Sequence, residues 1–320
     1  MVASNTASKN AQRDHGGNLA AAMEQYGGTR EGWIDLSTGI NPAPYPLPCF
    51  TEADWSALPD SAASHDLHQA ARRFWNVPEG AEILSAPGAS SLIALAPALA
   101  DPRWVRIETP TYNEHAAAFR AHGWSVTGQG PAEACVAVHP NNPTGRQWQA
   151  EELAAPFRII DESFCDICPD QSLIHLAAEP GTLVLKSFGK FWGLAGLRLG
   201  FAIGDPELIS RLSELQGPWS VSGPALKTGI QALSDTDWAA QTRARLAEDA
   251  ARMDDMILPK GAELAGGTDL FRLYHIDDAA AWQQRLARAH IWSRIFPYSD
   301  TYLRLGLPPA AGWDRLEAAL

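Results

Sequence analysis

From about residue 80 to 205 the chain alternates short, unbroken apolar runs with stretches whose apolar positions recur at helical spacing. Trp104-Val-Arg-Ile-Glu-Thr109, Ala134-Cys-Val-Ala-Val-His139, Phe157-Arg-Ile-Ile160, Thr182-Leu-Val-Leu-Lys186 and Leu199-Gly-Phe-Ala-Ile203 read as strands. Ser90–Ala100, Asn113–His122 and Gln149–Ala155 lie between them and read as helices. Strands apolar on both faces and separated by helices predict an α/β domain, its mostly parallel sheet covered on both sides. The flanks differ. Ser37 to Pro48 is a loop dense in Pro, Gly and Asn. Beyond Gly217-Pro-Trp219, the stretch Ala225 to Met256 is helical in character. Asp269–His275, Ala279–Ala289 and Tyr302–Leu307 then predict strand, helix and strand. The pattern divides the chain into a large domain over 45–220 and a smaller α+β domain formed by 1–44 and 221–320.

Composition narrows what such a fold does. The 320 residues carry 37 acidic and 25 basic side chains, a net charge of −12. That balance argues against nucleic-acid binding, which needs a basic footprint to displace counterions from phosphates. It leaves a small anionic substrate open, because a few converging arginines override net charge locally. No apolar run approaches the roughly 18 residues of a membrane span. The polar start, Met1 to Asn18, lacks the apolar core of a secretory signal. A cytoplasmic protein is expected. Its four cysteines, Cys49, Cys135, Cys165 and Cys168, should be reduced. Cys165-x-x-Cys168 has no second Cys/His pair at finger-like spacing, so no metal site is expected.

The window richest in chemistry is Ser187-Phe-Gly-Lys190-Phe-Trp-Gly-Leu-Ala-Gly196-Leu-Arg198-Leu-Gly200. A lysine follows a predicted strand and opens a glycine-rich loop, with an arginine eight residues on. Glycines permit close backbone approach. A lysine of depressed pKa is a nucleophile toward carbonyls, and an arginine clamps phosphate bidentately. The window resembles the lysine signature of the fold-type I pyridoxal-phosphate (PLP) enzymes, the class I/II aminotransferase superfamily. That resemblance implies PLP as cofactor, carried covalently by Lys190, with Ser187 and Arg198 on its phosphate. Gly189 departs from the pattern, where relatives often have a hydroxyl residue.

The same resemblance implies the other cofactor residues. His139-Pro-Asn-Asn142-Pro-Thr-Gly145 matches the superfamily's Asn-Pro-x-Gly loop and makes Asn142 the donor to the PLP phenolic oxygen. Asp161, at a strand end, matches the partner of the pyridine nitrogen. Tyr112 in Pro110-Thr-Tyr112-Asn-Glu-His115 matches the ring-stacking aromatic, with His115 supporting Asp161. Gly88, Ala89 and Ser90 precede a helix whose first N–H groups would receive phosphate. Phe164 stands where many aminotransferases have a tyrosine on the phenolic oxygen, and it cannot make that bond.

Two further segments narrow the reaction. Asp14-His15-Gly16-Gly17-Asn18 followed by Ser37-Thr38-Gly39-Ile40-Asn41-Pro42 resembles the L-threonine-O-3-phosphate decarboxylases of cobalamin biosynthesis. Arg294 in Ile291-Trp-Ser-Arg294 and Arg304 in Tyr302-Leu-Arg304-Leu-Gly306 resemble that family's two arginine segments. The resemblance implies a small phosphorylated amino-acid substrate bound by His15, Asn18, Asn41, Arg294 and Arg304, and a homodimer with shared active sites. A PLP-dependent aminotransferase of the histidinol-phosphate type is the alternative, since it shares the Asn-Pro loop.

Overall fold

The computed structural model describes residues 15–320. Met1 to Asp14, the first part of the polar start and of the segment 1–44, lie outside the described residues. A seven-stranded sheet runs in the order Glu82–Ala86, Gly200–Gly204, Thr182–Ser187, Phe157–Asp161, Ala134–Val138, Trp104–Ile107, Ser125–Thr127. Pairing is parallel from Thr182–Ser187 to Ser125–Thr127, while Gly200–Gly204 runs antiparallel to both its neighbours. The mostly parallel α/β sheet expected from the apolar runs is therefore present.

Side-chain alternation shows why those runs carry so little polar character. Ile160, Val184, Ile203 and Phe201 enter one core cluster, whereas Ile159, Leu183, Leu185 and Ala202 enter another. Successive residues of one strand thus feed opposite faces, and both faces are covered. Each fully buried Leu, Ile or Val contributes about 1.5–3 kcal/mol. The larger cluster continues past the sheet through Phe164, Leu246, Phe271, Leu305 and Leu316, so its apolar packing also reaches the C-terminal strands and helices.

Those strands form a four-stranded antiparallel sheet, Arg294–Phe296, Ser299–Gly306, Phe271–His275 and Glu263–Thr268 in order. Ile34–Asp35 pairs in parallel with Ile291–Trp292 and draws the N-terminal loop onto this region.

Three local expectations are corrected. Gln149–Ala155 forms only a short 3-10 turn, Ala150–Leu153, because Pro156 forces the residue before it out of the α region. Ser90–Ala100 is α-helical as Ala89–Leu95 and tightens to 3-10 over Ala96–Leu99, where Pro97 lacks the amide an α-helix would use. The helical stretch after residue 225 is two helices, Gly223–Ser234 and Thr236–Ile257. They break at Asp235, whose carboxylate accepts from the Trp238 amide at 3.0 Å as the cap of the second.

Candidate functional site

The carboxyl ends of the parallel strands converge, the usual place for a ligand in an open α/β sheet. A cavity of about 620 Å³ opens there, lined among others by His15, Tyr112, Asn142, Lys190, Arg294 and Arg304. Lys190 sits on the turn after Thr182–Ser187. Phe188, Phe191 and Trp192 around it are fully buried and anchor the turn in the core. Its ammonium lies 5.0 Å over the Phe164 ring. Loss of hydration, then the Arg304 charge, push the amine down to about 8, against the weaker opposing pull of Asp161 and Asp35.

Asp161 ends the adjacent strand and is 3% exposed. Its Oδ2 lies 2.8 Å from His115 Nε2, and its Oδ1 accepts from the Ser163 amide at 3.0 Å and the Ser163 hydroxyl at 2.5 Å. Burial opposes its charge, but His115 and Ser163 outweigh that and hold the carboxyl below its ordinary value. Tyr112 precedes the helix Asn113–Ala121, its ring 6.2 Å from both His15 and His115. Asn142 reaches the cavity from the neighbouring loop and accepts from Arg304 through Oδ1.

Gly88, Ala89, Ser90 and Arg198 form a polar corner. Arg198 Nη2 donates to Ser90 Oγ at 2.8 Å. Gly88 adopts φ +86°, a conformation that strains any L side chain, and a Cβ there would also sit 2.4 Å from that guanidinium and displace it. Gly200 likewise lets the start of Ala89–Leu95 come close, since its Cβ would meet the Ala89 nitrogen at 2.4 Å. Ser187 Oγ accepts from the Gly189 amide at 3.2 Å.

Arg294 and Arg304 are directly opposite each other on adjacent antiparallel strands. Arg304 is 5% exposed. It donates to Asn142 Oδ1 and, at 2.5 Å, to the Ser37 carbonyl. Its Nε is buried without a hydrogen-bond partner among the described residues. Burial first, then the Arg294 charge, bring it down to about 10. His15 sits at the cavity edge, 2.9 Å from Glu114. Gly16 and Gly17 allow that placement. A Cβ on Gly16 would meet the Ser37 carbonyl oxygen at 2.3 Å, and the Gly17 amide donates to Ser37 Oγ at 2.7 Å.

Two expected substrate contacts are not brought to the cavity. Asn18 caps the helix Leu19–Tyr26, accepting from the Ala21 amide at 3.4 Å. Asn41 is 2% exposed and spends its side chain on the protein itself. Arg120, in contrast, lines the cavity without having been singled out from sequence. Its signal was helical spacing, because Ala116 and Arg120 share one face of Asn113–Ala121 four residues apart.

The residues fit PLP on their chemistry. A corner of Arg198, Ser90, Ser187 and the first N–H groups of a helix suits a phosphate. A charged buried carboxylate suits a pyridinium, and a lysine of depressed pKa suits an aldehyde. Behind Asp161, Glu162 turns to the other face of the sheet, 2.6 Å from Lys186, which is also 3.5 Å from Asp166. Ligand atoms of His139, Glu162 and Cys165 lie within 4.8 Å of one another. Both imidazole nitrogens already meet backbone groups at Trp148 and Gln171, and both Glu162 oxygens are bonded.

Residues 129–316 match the family described as aminotransferase class I and II. A threonine-phosphate decarboxylase from a Sinorhizobium species is 41% identical over 94% of this chain and 95% of its own length. One from Pseudomonas aeruginosa is 38% identical, over 96% and 97% respectively. The structure of histidinol-phosphate aminotransferase from Sinorhizobium meliloti in complex with pyridoxal-5'-phosphate has a TM-score of 0.79, covering 99% of this chain and 97% of its own. At 18% identity that likeness concerns the fold. The chain belongs to the aminotransferase class I and II family, with its fold-type I architecture.

Proposed function

We propose that the chain is a PLP-dependent decarboxylase of L-threonine O-3-phosphate, releasing CO₂ and (R)-1-amino-2-propanol O-2-phosphate in cobalamin biosynthesis. The observation that carries this reading is the pair Arg294 and Arg304, set opposite each other beside the cavity that Lys190 lines. Like charges facing each other across a strand pair repel. A substrate phosphate held between the two turns that repulsion into attraction. The names of the relatives support the same reaction.

When bound, PLP supplies the electron sink for the pair left as a bond to Cα breaks. Lys190 would hold the cofactor, and Arg198, Ser90, Ser187 and the helix start at Gly88–Ala89 would hold its phosphate. Asp161, kept charged by His115 and Ser163, would favour a proton on the ring nitrogen. Tyr112 would contact the ring and Asn142 its phenolic oxygen. Arg294, Arg304 and His15 hold the substrate phosphate, so that the Cα–carboxylate bond rather than Cα–H is presented for cleavage. The carboxylate leaves as CO₂, and Lys190 Nζ or a water returns a proton to Cα.

The test is incubation with threonine phosphate and no keto-acid acceptor. Catalytic CO₂ release supports decarboxylation. Turnover only with 2-oxoglutarate replaces it with an aminotransferase of the histidinol-phosphate type. The same reading includes a cytoplasmic homodimer with shared active sites, checked by sedimentation. Among the described residues no helix is long and apolar enough to cross a membrane.

The state of Lys190 gives a pH prediction. The neutral amine is the nucleophile, and burial disfavours the ammonium, so the reactive form dominates above about 8 instead of above the ordinary 10.5. Capture of PLP by the apoprotein, followed by stopped-flow absorbance, should accelerate with a midpoint near 8. A midpoint above 10 contradicts this environment for Lys190.

A further inference from the structure

We propose that Asn41 and Arg245 form a clamp that positions Lys190, a role resting on the reading of Lys190 as the residue that carries PLP. Neither lines the cavity. Both act through the backbone of the turn that bears the lysine.

The carbonyls of three consecutive residues on that turn are met by one segment, 41–45. The Asn41 amide donates to the Lys190 carbonyl at 3.0 Å, Asn41 Nδ2 to the Phe191 carbonyl at 2.8 Å, and the Tyr45 amide to the Trp192 carbonyl at 2.9 Å. Gly193 then turns away at φ +69°, where a Cβ would lie 2.7 Å from Pro44 Cα and 2.9 Å from the Asn41 carbonyl oxygen. The turn and the segment are therefore pressed together with no room for a side chain between them.

Arg245 decides how Asn41 can engage. An amide side chain offers an oxygen at one end and two N–H donors at the other. Asn41 Oδ1 accepts from the Ala43 amide at 3.0 Å and from Arg245 Nη2 at 2.7 Å. Two donors, one of them cationic, fix the oxygen on that side and turn Nδ2 toward Phe191. Arg245 is itself held by Asp249, one turn along the helix Thr236–Ile257, at 3.1 Å. The same loop continues back to Ser37, whose carbonyl holds Arg304. A C-terminal helix thus sets the geometry of a lysine on the central sheet, and with it the spacing between lysine and arginine across the cavity.

The test compares Arg245→Met, Arg245→Lys and Asn41→Asp with the wild type. Arg245→Met keeps the apolar stem at a half-exposed position. Asn41→Asp keeps the contact with Arg245 but removes the donor to Phe191. In the apoproteins, hydrogen exchange at the amides of Asn41, Tyr45 and Gly193 should rise about tenfold in Arg245→Met and Asn41→Asp, as expected when a hydrogen bond to a charged or buried group is lost. In the holoproteins both should release PLP faster and lower kcat with KM for threonine phosphate unchanged, and Arg245→Lys should restore most of each effect. Wild-type exchange and PLP retention in both variants overturns the clamp. So does a rise in KM alone, which would make these residues substrate contacts, and so does a lower melting temperature without a change at the three amides. Lys190→Ala is the separate control. If it keeps the visible band of lysine-linked PLP, the underlying reading fails, while the exchange data still decide whether the turn is clamped.

Discussion

Lys190→Ala is expected to lose the visible band of lysine-linked PLP and to decarboxylate threonine phosphate about 10³-fold more slowly or worse, the scale of losing a positioned proton carrier. The substitution removes two functions at one atom. Nζ is the nucleophile that captures the cofactor, and it is also the acid placed to return a proton to Cα. Its amine is already brought down to about 8 by burial and by Arg304, so both protonation states are accessible near neutrality. The fold should survive, because Phe188, Phe191 and Trp192 anchor the turn independently of the lysine side chain. Absorbance, an acceptor-free CO₂ assay and a melting curve check the three parts together. An unchanged spectrum sinks the assignment.

Lys186, four residues upstream, shows why identity alone would not have chosen between the two lysines. Its side chain is more deeply buried, but its ammonium lies between Glu162 and Asp166, whose charges overcome the desolvation and raise its pKa above the ordinary value. A compensated buried lysine is a poor nucleophile at neutral pH. Lys190 lies near an arginine and a phenyl ring, and the pull of Asp161 and Asp35 on it does not offset its burial and the Arg304 charge.

Lys190 was legible because its glycines, serine and arginine at fixed spacing resemble the lysine signature of the PLP enzymes. Asp161 and Asn142 followed from the same resemblance, which implies them in that order along the chain, and the parallel sheet brings their strand ends to one side. Asn18 and Asn41 were less legible for a physical reason. An asparagine in a glycine-rich loop serves equally well as a ligand contact, a helix cap or a backbone clamp. Only the partners separate these uses: the Ala21 amide for Asn18, and Phe191 with Arg245 for Asn41. Arg120 was missed because a charged residue near the end of an amphipathic helix reads as solvated surface. The antiparallel strand Gly200–Gly204 was read as a strand, but its direction depends on pairing with Glu82–Ala86, over a hundred residues away, and an apolar run carries no sign of direction.

The second large effect is expected at Arg304→Met, and it should appear in two measurements at once. Arg304 is buried and committed to Asn142 and the Ser37 carbonyl, and its buried Nε has no hydrogen-bond partner among the described residues. Truncating one partner of a buried, hydrogen-bonded charge pair costs about 2–5 kcal/mol, so KM for threonine phosphate should rise by about 30-fold or more. Arg294, half-buried on the facing strand, should matter less, by about tenfold when changed to Met, because solvent screens the more exposed charge. The second measurement is the pH midpoint for PLP capture. Burial is the larger cause of the lowered Lys190 amine and the Arg304 charge is the next. Removing that charge should therefore move the midpoint upward from about 8 only part of the way to the ordinary 10.5. Arg294→Met is expected to raise KM with little movement of the midpoint, since its charge is not among the causes acting on Lys190. A rise in KM for Arg304→Met with a fixed midpoint would detach Arg304 from the reacting centre and make it a remote substrate anchor. An upward midpoint with normal KM would do the reverse, leaving Arg294 and His15 to hold the phosphate. Both shifts together place one guanidinium between the substrate anion and the lysine, where it acts on binding and on the nucleophile alike.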